Sequence, residues 1–164
     1  MTALPDARGL VALLVDRGAT LATAESLTGG RLAAAVTGVP GASAAYVGGI
    51  VAYATRVKQE LLGVPDALVA THGVVSAECA RAMASGVRTA LDATWGISTT
   101  GVAGPDRQEG KPVGTVFVGL AGPAGSEAVE LSLAGDRADV QDQTVGEAIA
   151  TLVWKLRREE PGLR

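Results

Sequence analysis

A nine-residue segment, residues 23–31, constrains the fold of this chain more than any other part of its sequence. It reads TAESLTGGR. A β-rich run over residues 20–24 leads into the segment, and a helical stretch over residues 31–36 leaves it. We expect the helix to begin near Thr28. The segment therefore predicts a turn that joins a strand directly to a helix.

Ser26 lies within this turn, and Gly29 and Gly30 are expected just inside the start of the helix. Free backbone N–H groups and the positive end of the helix dipole stabilise negative charge at such a place. Glycines let a ligand or another backbone approach closely. The turn suits a nucleophilic serine or an anion-binding loop, although many ordinary strand-to-helix turns have a similar composition.

Helical segments recur along the chain. The first is predicted from apolar residues at helical spacing, with a stop at Gly18. These residues are Leu4, Ala7, Leu10, Val11, Leu14 and Val15. Three more helices are predicted, one over residues 55–62 that ends at Gly63, one with its N-cap at Ser76 and one with its N-cap at Asp136.

Strands are predicted between these helices. Residues 46–53 form a continuous apolar run that indicates a buried strand, and residues 95–100 form the next strand. Residues 113–121 and 128–133 flank a Gly-Pro-Ala-Gly-Ser turn and predict a hairpin. The second strand of this hairpin is expected to have one solvent-exposed face.

This order of elements predicts a three-layer α/β/α sandwich around a mixed, mostly parallel sheet of about five strands. We expect a single domain over residues 1–164. Loops that leave the carboxyl ends of parallel strands share one edge of the sheet, where ligands of such folds bind. Three of these loops carry candidate groups, namely residues 25–26, 53–58 and 100–106.

Charge and composition exclude several classes of protein. The net charge of −3 and the absence of a Lys/Arg cluster argue against a nucleic-acid binder. No apolar run approaches the length of a membrane span, and the N-terminus lacks the features of a signal peptide. The single cysteine, Cys79, excludes an intramolecular disulfide. We expect a soluble cytoplasmic protein.

Few residues could serve as a catalytic base or a metal ligand. A serine triad needs histidine, and the one histidine, His72, lies in a loop or at a helix end, where a lone histidine is most often structural. Cys79 falls within the helix that Ser76 caps and is expected to be a packing residue. No group of residues has the spacing of zinc ligands, so no metal is expected.

A desolvated lysine can activate a serine in place of histidine. Lys58 is the best candidate because it follows Tyr53 closely on the predicted site edge. Its pKa would have to fall towards neutrality, and burial beneath apolar neighbours such as Val57 and Leu61 would lower it. The alternative is a solvated helix residue, which is the more usual state of a lysine.

Four blocks of sequence follow one another along the chain and together span the three predicted site loops: LATAESLTGG, GGIVAYATRVKQELLGV, HGVVSAECARAMASGVR and TGVAGPDRQEGKPVGTVFVGL. Together they resemble the C-terminal domain of the CinA (competence/damage-inducible) family, and the likeness runs from about Leu4 to about Leu156. Stand-alone members of that family include nicotinamide-mononucleotide amidohydrolases. Larger members carry an additional N-terminal nucleotide-processing domain, for which we expect no counterpart here.

The resemblance implies an amidohydrolase of the pyridine nucleotide cycle, which converts nicotinamide mononucleotide to nicotinate mononucleotide and ammonia. It implies Ser26 as the nucleophile and Lys58 as the base, with the phenol of Tyr53 orienting the lysine or relaying a proton. It implies a small-molecule nucleotide substrate and no cofactor. A helical surface rich in alanine and glycine would also suit a homodimer.

The resemblance further implies a set of substrate-binding residues, and N–H groups after Ser26 are plausible oxyanion donors. The set comprises Thr28, Gly29, Gly30, Thr100, Gly101, Gly104 and Arg137. The glycines have a competing structural role in close packing of helix on strand. Arg137 is alternatively a surface residue or a partner of Asp139.

The chain departs from the family pattern in two places. Residues 107–110 read RQEG, where the family usually has two glycines and an acidic stretch, and the loop is shorter by one residue. Gln141 stands where a second arginine is usual, four residues after Arg137. These differences leave open a nucleotide-binding or regulatory module without catalysis, or an amidase for another small amide.

Overall fold

The computed structural model describes residues 6–159, so the predicted place of Leu4 in the first helix lies outside the described residues. The helices and strands run in the order α1 (Ala7–Asp16), β1 (Leu21–Glu25), α2 (Arg31–Thr37), β2 (Tyr46–Val51), α3 (Thr55–Leu62), α4 (Asp66–His72), α5 (Ala77–Ala90), β3 (Trp95–Gly101), β4 (Thr115–Gly122), β5 (Gly125–Ser132) and α6 (Arg137–Arg158). A short 3-10 helix, Ala42–Ala44, precedes β2.

The five strands form one mixed sheet in the order β2-β1-β3-β4-β5. β1 pairs in parallel with both β2 and β3, whereas β4 pairs antiparallel with β3 and with β5. Four of the five strands therefore run in the same direction, and β4 alone is reversed. The predicted mixed, mostly parallel sheet and its C-terminal hairpin are confirmed.

Helices cover both faces of the sheet, which confirms the predicted three layers. Helices α1, α2 and α6 bury one face with side chains such as Leu10 and Leu152. Helix α5 buries the other face, where its Met83 and Val87 are fully enclosed, and α3 and α4 pack against α5. Helix α5 lies very close to the sheet, because a Cβ at Gly119 of β4 would come within 2.2 Å of a backbone carbonyl oxygen of α5.

Local capping signals explain why several helices begin and end where the sequence predicts. Gly63 adopts the left-handed conformation after α3. The Ser76 hydroxyl accepts a hydrogen bond from the N–H of Cys79 at the start of α5. Asp136 caps α6 in a reciprocal arrangement with Asp139.

Other expectations were wrong in detail. Helix α2 begins at Arg31, and Gly29 (φ 55°) and Gly30 (φ 101°) lie before it rather than inside it, because their left-handed backbone cannot belong to a right-handed helix. Strand β2 lies at the edge of the sheet, so its residues alternate between half-buried and exposed instead of being buried throughout. Val15, predicted on the apolar face of the first helix, is 48% exposed, and Val129 of β5 is 38% exposed.

Candidate active site

The three predicted loops meet at one edge of the sheet. Strands β1, β2 and β3 run parallel, so their carboxyl ends lie side by side, and the loops that follow them line a cavity of about 290 Å³. Ser26, Lys58 and Thr100 all line this cavity. The turn that precedes α5 closes a further side, and Arg137 at the start of α6 lies at its rim.

Lys58 is the most unusual residue of this site because a lysine is almost completely buried there, with 1% of its surface exposed. It lies in the first turn of α3, and its Nζ is 2.9 Å from the Oγ of Ser26. The same nitrogen is 2.7 Å from the carbonyl oxygen of Ala52 and 3.1 Å from that of Tyr53. The alternative of a solvated helix lysine is therefore wrong.

Burial favours a neutral amine at Lys58, and the three contacts can accommodate that form. A neutral amine has two N–H bonds and one lone pair, and the two carbonyl oxygens can only accept hydrogen bonds. The lone pair is then left to accept the hydroxyl proton of Ser26. Burial lowers the pKa of Lys58 below its ordinary value, while the nearby Cys79 and Glu109 raise it by a smaller amount. Within residues 6–159, Lys58 has no carboxylate ion-pair partner.

The backbone holds Ser26 in place independently of its hydroxyl. The N–H of Ser26 donates to the carbonyl oxygen of Thr99 on β3 at 3.0 Å, and the N–H of Gly29 donates back to the carbonyl of Ser26 at 3.1 Å. The next N–H, that of Leu27, has no acceptor among the residues that the structure describes. Leu27 also lines the cavity, so this N–H is a candidate donor to a ligand.

The start of α2 does not supply the free N–H groups that the sequence suggested. The buried carboxylate of Glu25 accepts hydrogen bonds from the N–H of Leu32 at 2.7 Å and of Ala33 at 3.1 Å. Glu25 lies at the end of β1 with its carboxylate against the start of α2. The two N–H groups are therefore bonded to Glu25 and are not available to a ligand. The expectation that this helix end stabilises a charged ligand at Ser26 was wrong.

Thr28 and Thr100, predicted to bind substrate, use their side chains within the fold. The Thr28 hydroxyl shares a hydrogen bond of 2.8 Å with that of Thr99, and the Thr100 hydroxyl donates to the carbonyl of Val74 at 2.7 Å. Both threonines are buried. Their side chains fix the loops around the cavity, and any contact with a ligand is left to the backbone.

Two of the predicted binding glycines are required by packing. A Cβ at Gly101 would lie 2.6 Å from the carbonyl oxygen of Thr115 on the neighbouring strand. Gly104 has a φ of 95°, and a Cβ there would lie 2.9 Å from the side chain of Val113. Both positions thus have a structural role, but it is packing against a strand and against a loop side chain rather than the packing of helix on strand that the sequence suggested.

Tyr53 and Arg137 form the rim of the cavity. The Tyr53 ring is 62% exposed, and its hydroxyl accepts a hydrogen bond of 3.1 Å from the Arg137 guanidinium. Arg137 also donates to the carbonyl oxygen of Gly104. The expected contact between the Tyr53 phenol and Lys58 was wrong, since the backbone carbonyl of Tyr53 makes that contact instead. Asp139, the alternative partner of Arg137, is occupied in capping α6.

The sequence missed the role of Glu109, which lies in the divergent loop 107–110. Its carboxylate accepts hydrogen bonds from the N–H of Val74 at 2.9 Å and of Val75 at 2.7 Å. Lys111 donates to the carbonyl of Val75. Because Val74 and Val75 line the cavity, the hydrogen bonds from this loop hold one wall of the cavity in position. No local signal marks the contact, since more than thirty residues separate the partners.

Replacement of Glu109 by Gln should lower the free energy of unfolding by about 1–3 kcal/mol, because an amide leaves one of the two buried N–H groups without an acceptor. Thermal denaturation measures the change. Glu60→Gln is the matched control, since Glu60 forms an exposed pair with Arg56 that contributes less than about 1 kcal/mol. Equal effects of the two substitutions would contradict a fastening role for Glu109.

Gln141 lies behind the nucleophile turn. Its amide donates a hydrogen bond of 3.0 Å to the carbonyl of Leu27, and its side chain is buried. Gln141 therefore positions the Leu27–Thr28 peptide unit, one residue beyond the peptide that joins Ser26 to Leu27.

The remaining candidate groups do not line the cavity. His72 ends α4, with its Nδ1 3.7 Å from a carboxylate oxygen of Glu78. Cys79 is buried, and burial raises the pKa of its thiol to about 11. Among residues 6–159, no three His, Cys, Asp or Glu side chains are grouped as metal ligands. No helix in this part of the chain combines the length and apolar character needed to cross a membrane.

Comparisons with known proteins agree with this architecture. The family model of the CinA C-terminal domain matches residues 5–156. A CinA-like protein of Frankia casuarinae is 56% identical over 140 residues, which cover 85% of this chain and 32% of that protein. A CinA-like protein of an Anaeromyxobacter species is 52% identical over 149 residues, covering 90% of this chain and 36% of that protein. The chain thus spans about a third of the length of these curated relatives.

A solved structure shows the same fold. The crystal structure of a competence-damaged protein (CinA) superfamily protein from Klebsiella pneumoniae superimposes with a TM-score of 0.91 at 34% sequence identity. The match covers 93% of this chain and 96% of that one. The fold described above therefore belongs to a known architecture.

Proposed function

Because the chain belongs to the CinA C-terminal domain family, we propose that it hydrolyses the carboxamide of nicotinamide mononucleotide, giving nicotinate mononucleotide and ammonia. One observation carries the proposal: the buried amino group of Lys58 lies 2.9 Å from the Oγ of Ser26 beside a cavity. A serine and a desolvated lysine in contact form a nucleophile and its base. The substrate itself is inferred from the sequence resemblance.

In the first half of the reaction, neutral Lys58 accepts the hydroxyl proton of Ser26 while Oγ attacks the carboxamide carbon. The resulting ammonium group of Lys58 returns this proton to the amide nitrogen. The carbon–nitrogen bond then breaks, ammonia leaves, and an ester joins the nicotinoyl carbon to Ser26.

In the second half, a water molecule attacks the ester and gives a proton to Lys58. The Oγ of Ser26 leaves as the ester bond breaks and recovers that proton. The products are the starting enzyme and the carboxylic acid, which gives its proton to ammonia or solvent and becomes the carboxylate.

Negative charge develops on the carboxamide oxygen in both halves. We assign its stabilisation to the N–H of Leu27, which has no acceptor within residues 6–159 and directly follows the nucleophile. A donor of this kind contributes about 3 kcal/mol to the transition state. Gln141 holds the adjacent peptide unit, Leu27–Thr28, through the carbonyl of Leu27.

The size of the cavity fits the base of the nucleotide better than the whole molecule. Its 290 Å³ lies at the lower end of ligand pockets, which range over about 300–1,000 Å³. We place the pyridine carboxamide beside Ser26 and the sugar towards the rim, where the Tyr53 ring is exposed. The backbone of Gly101 and Gly104 borders the same space.

The test is incubation of the protein with nicotinamide mononucleotide, followed by measurement of ammonia and nicotinate mononucleotide. We expect both products in equal amounts, unaffected by a chelator. Binding of the nucleotide without either product would support the competing function, a regulatory module, which Gln141 and the divergent loop favour. Ammonia release from other small amides only would support an amidase of different specificity. A homodimer and a cytoplasmic location stay predictions.

The pH dependence of the reaction tests the base. We expect kcat/KM to rise with pH through a group whose pKa lies below the ordinary lysine value of 10.5, because burial lowers the pKa of Lys58 and only its neutral form accepts a proton. Initial rates across the pH range give this profile. A rising limb at or above the ordinary lysine value would argue against a desolvated base.

A further inference from the structure

A second cavity of about 630 Å³ adjoins the first. The two share Leu27, Tyr53 and Arg137 as common walls. The outer cavity is further lined by Gly29, Arg31, Asp136, Ala138 and Gln141. It therefore lies between the nucleophile turn and the first turn of α6, where one ligand could occupy both spaces.

Two guanidinium groups face the outer cavity without a matching negative charge. Within residues 6–159, neither Arg31 nor Arg137 forms an ion pair with a carboxylate. The one carboxylate in the lining belongs to Asp136, and it accepts a hydrogen bond of 2.9 Å from the N–H of Asp139 as the cap of α6. The outer cavity thus has an excess of positive charge.

Both arginines are held by hydrogen bonds that leave further donors available. Arg31 uses Nη1 to reach the carbonyl of Thr28 at 3.1 Å. Arg137 uses Nη1 for the carbonyl of Gly104 and Nη2 for the hydroxyl of Tyr53. A guanidinium has five N–H donors, so each side chain keeps some for a ligand. Planar guanidinium groups suit phosphate oxygens because they can bind two at once.

We propose that the outer cavity binds the phosphate monoester of the nucleotide, with Arg31 as a specificity-determining residue beside Arg137. The proposal rests on the proposed function. Arg31 supplies the second positive charge that the chain lacks at position 141. Gln141 cannot replace it, since its amide is buried and donates to the carbonyl of Leu27.

The experiment compares Arg31→Gln with the wild type on nicotinamide mononucleotide and on nicotinamide riboside, which lacks the phosphate. We expect the KM for the mononucleotide to rise about tenfold to hundredfold, because a hydrogen-bonded charge is lost, while kcat changes little. The kinetic constants for the riboside should not change. Arg56→Gln is the matched control, because Arg56 is exposed on α3 and lines neither cavity.

Equal changes in KM for the two substrates, or no difference between Arg31→Gln and Arg56→Gln, would overturn the proposal. If the wild type releases no ammonia, the proposed function fails, and calorimetry then decides the phosphate site separately. The phosphate site would be supported if the wild type binds the mononucleotide more tightly than the riboside and if Arg31→Gln removes this difference in affinity. Equal or undetectable binding of both would reject it.

Discussion

Replacement of Lys58 by Met should lower kcat for ammonia release by a factor of about 10²–10⁴, the usual contribution of a general base. Methionine fills a similar volume but has no lone pair that can take the proton of Ser26. Lys58→Arg should not restore activity, because a guanidinium stays protonated at any useful pH. Rates measured over a range of substrate concentrations separate this loss from weaker binding. A fully active Lys58→Met variant would exclude Lys58 as the base.

The stability of the same variant gives an independent measure of the buried amine. The folded-state pKa of Lys58 is lowered, so between that value and 10.5 the unfolded chain binds a proton that the folded chain does not. Because the unfolded chain binds more protons, the free energy of unfolding rises with pH between the two pKa values. Below the folded-state pKa, Lys58 is protonated in both states, and the full destabilisation from burying its charge is present. Methionine has no such cost.

We therefore expect the difference in unfolding free energy, Lys58→Met minus wild type, to decrease as pH rises towards 10.5. Loss of the hydrogen bonds to the carbonyls of Ala52 and Tyr53 offsets the difference by an amount that does not depend on pH. Denaturant titrations at several pH values provide the comparison. A difference independent of pH would mean that Lys58 ionises alike in both states.

The meeting of Ser26 and Lys58 could be predicted because it follows from local signals and one topological rule. The pattern of strand, turn and helix placed each residue just after a strand. Parallel neighbours then bring their carboxyl ends together. The cap residues Gly63, Ser76 and Asp136 were predictable for the same reason, since each acts on residues no more than a few positions away.

The parts that could not be predicted depend on distant contacts. Glu109 fastens Val74 and Val75, which are more than thirty residues earlier in the chain. The edge position of β2 depends on the order of strands in the sheet. An apolar run in the sequence does not distinguish an edge strand from a central one. Tyr53 was expected to contribute its phenol, yet its backbone carbonyl faces Lys58 and its phenol contacts Arg137.

Helix α4 was missed because it has almost no pattern to detect. It is seven residues long and contains no buried side chain. Apolar periodicity, the main sequence signal of a helix, needs a buried face.

Replacement of Ser26 by Ala should have the largest effect on catalysis and one of the smallest on stability. No acyl-enzyme can form without the hydroxyl, so we expect kcat to fall by several orders of magnitude, up to about 10⁶. The turn is held by backbone hydrogen bonds to Thr99 and Gly29 and by the amide of Gln141, none of which uses the hydroxyl. The free energy of unfolding should therefore change by no more than about 1 kcal/mol.

Three measurements on this variant separate the nucleophile from the scaffold. Ammonia release should be lost, and the melting temperature should stay close to that of the wild type. Calorimetry should still detect the nucleotide, since the substitution removes a single oxygen atom from the walls of the two cavities. Ser43→Ala, at an exposed serine outside both cavities, is the control for loss of a hydroxyl and should retain full activity. Wild-type rates of ammonia release from Ser26→Ala would exclude Ser26 as the nucleophile. In that case Lys58 would have to activate water directly, because its amine would remain beside the same cavity with its lone pair freed from the serine.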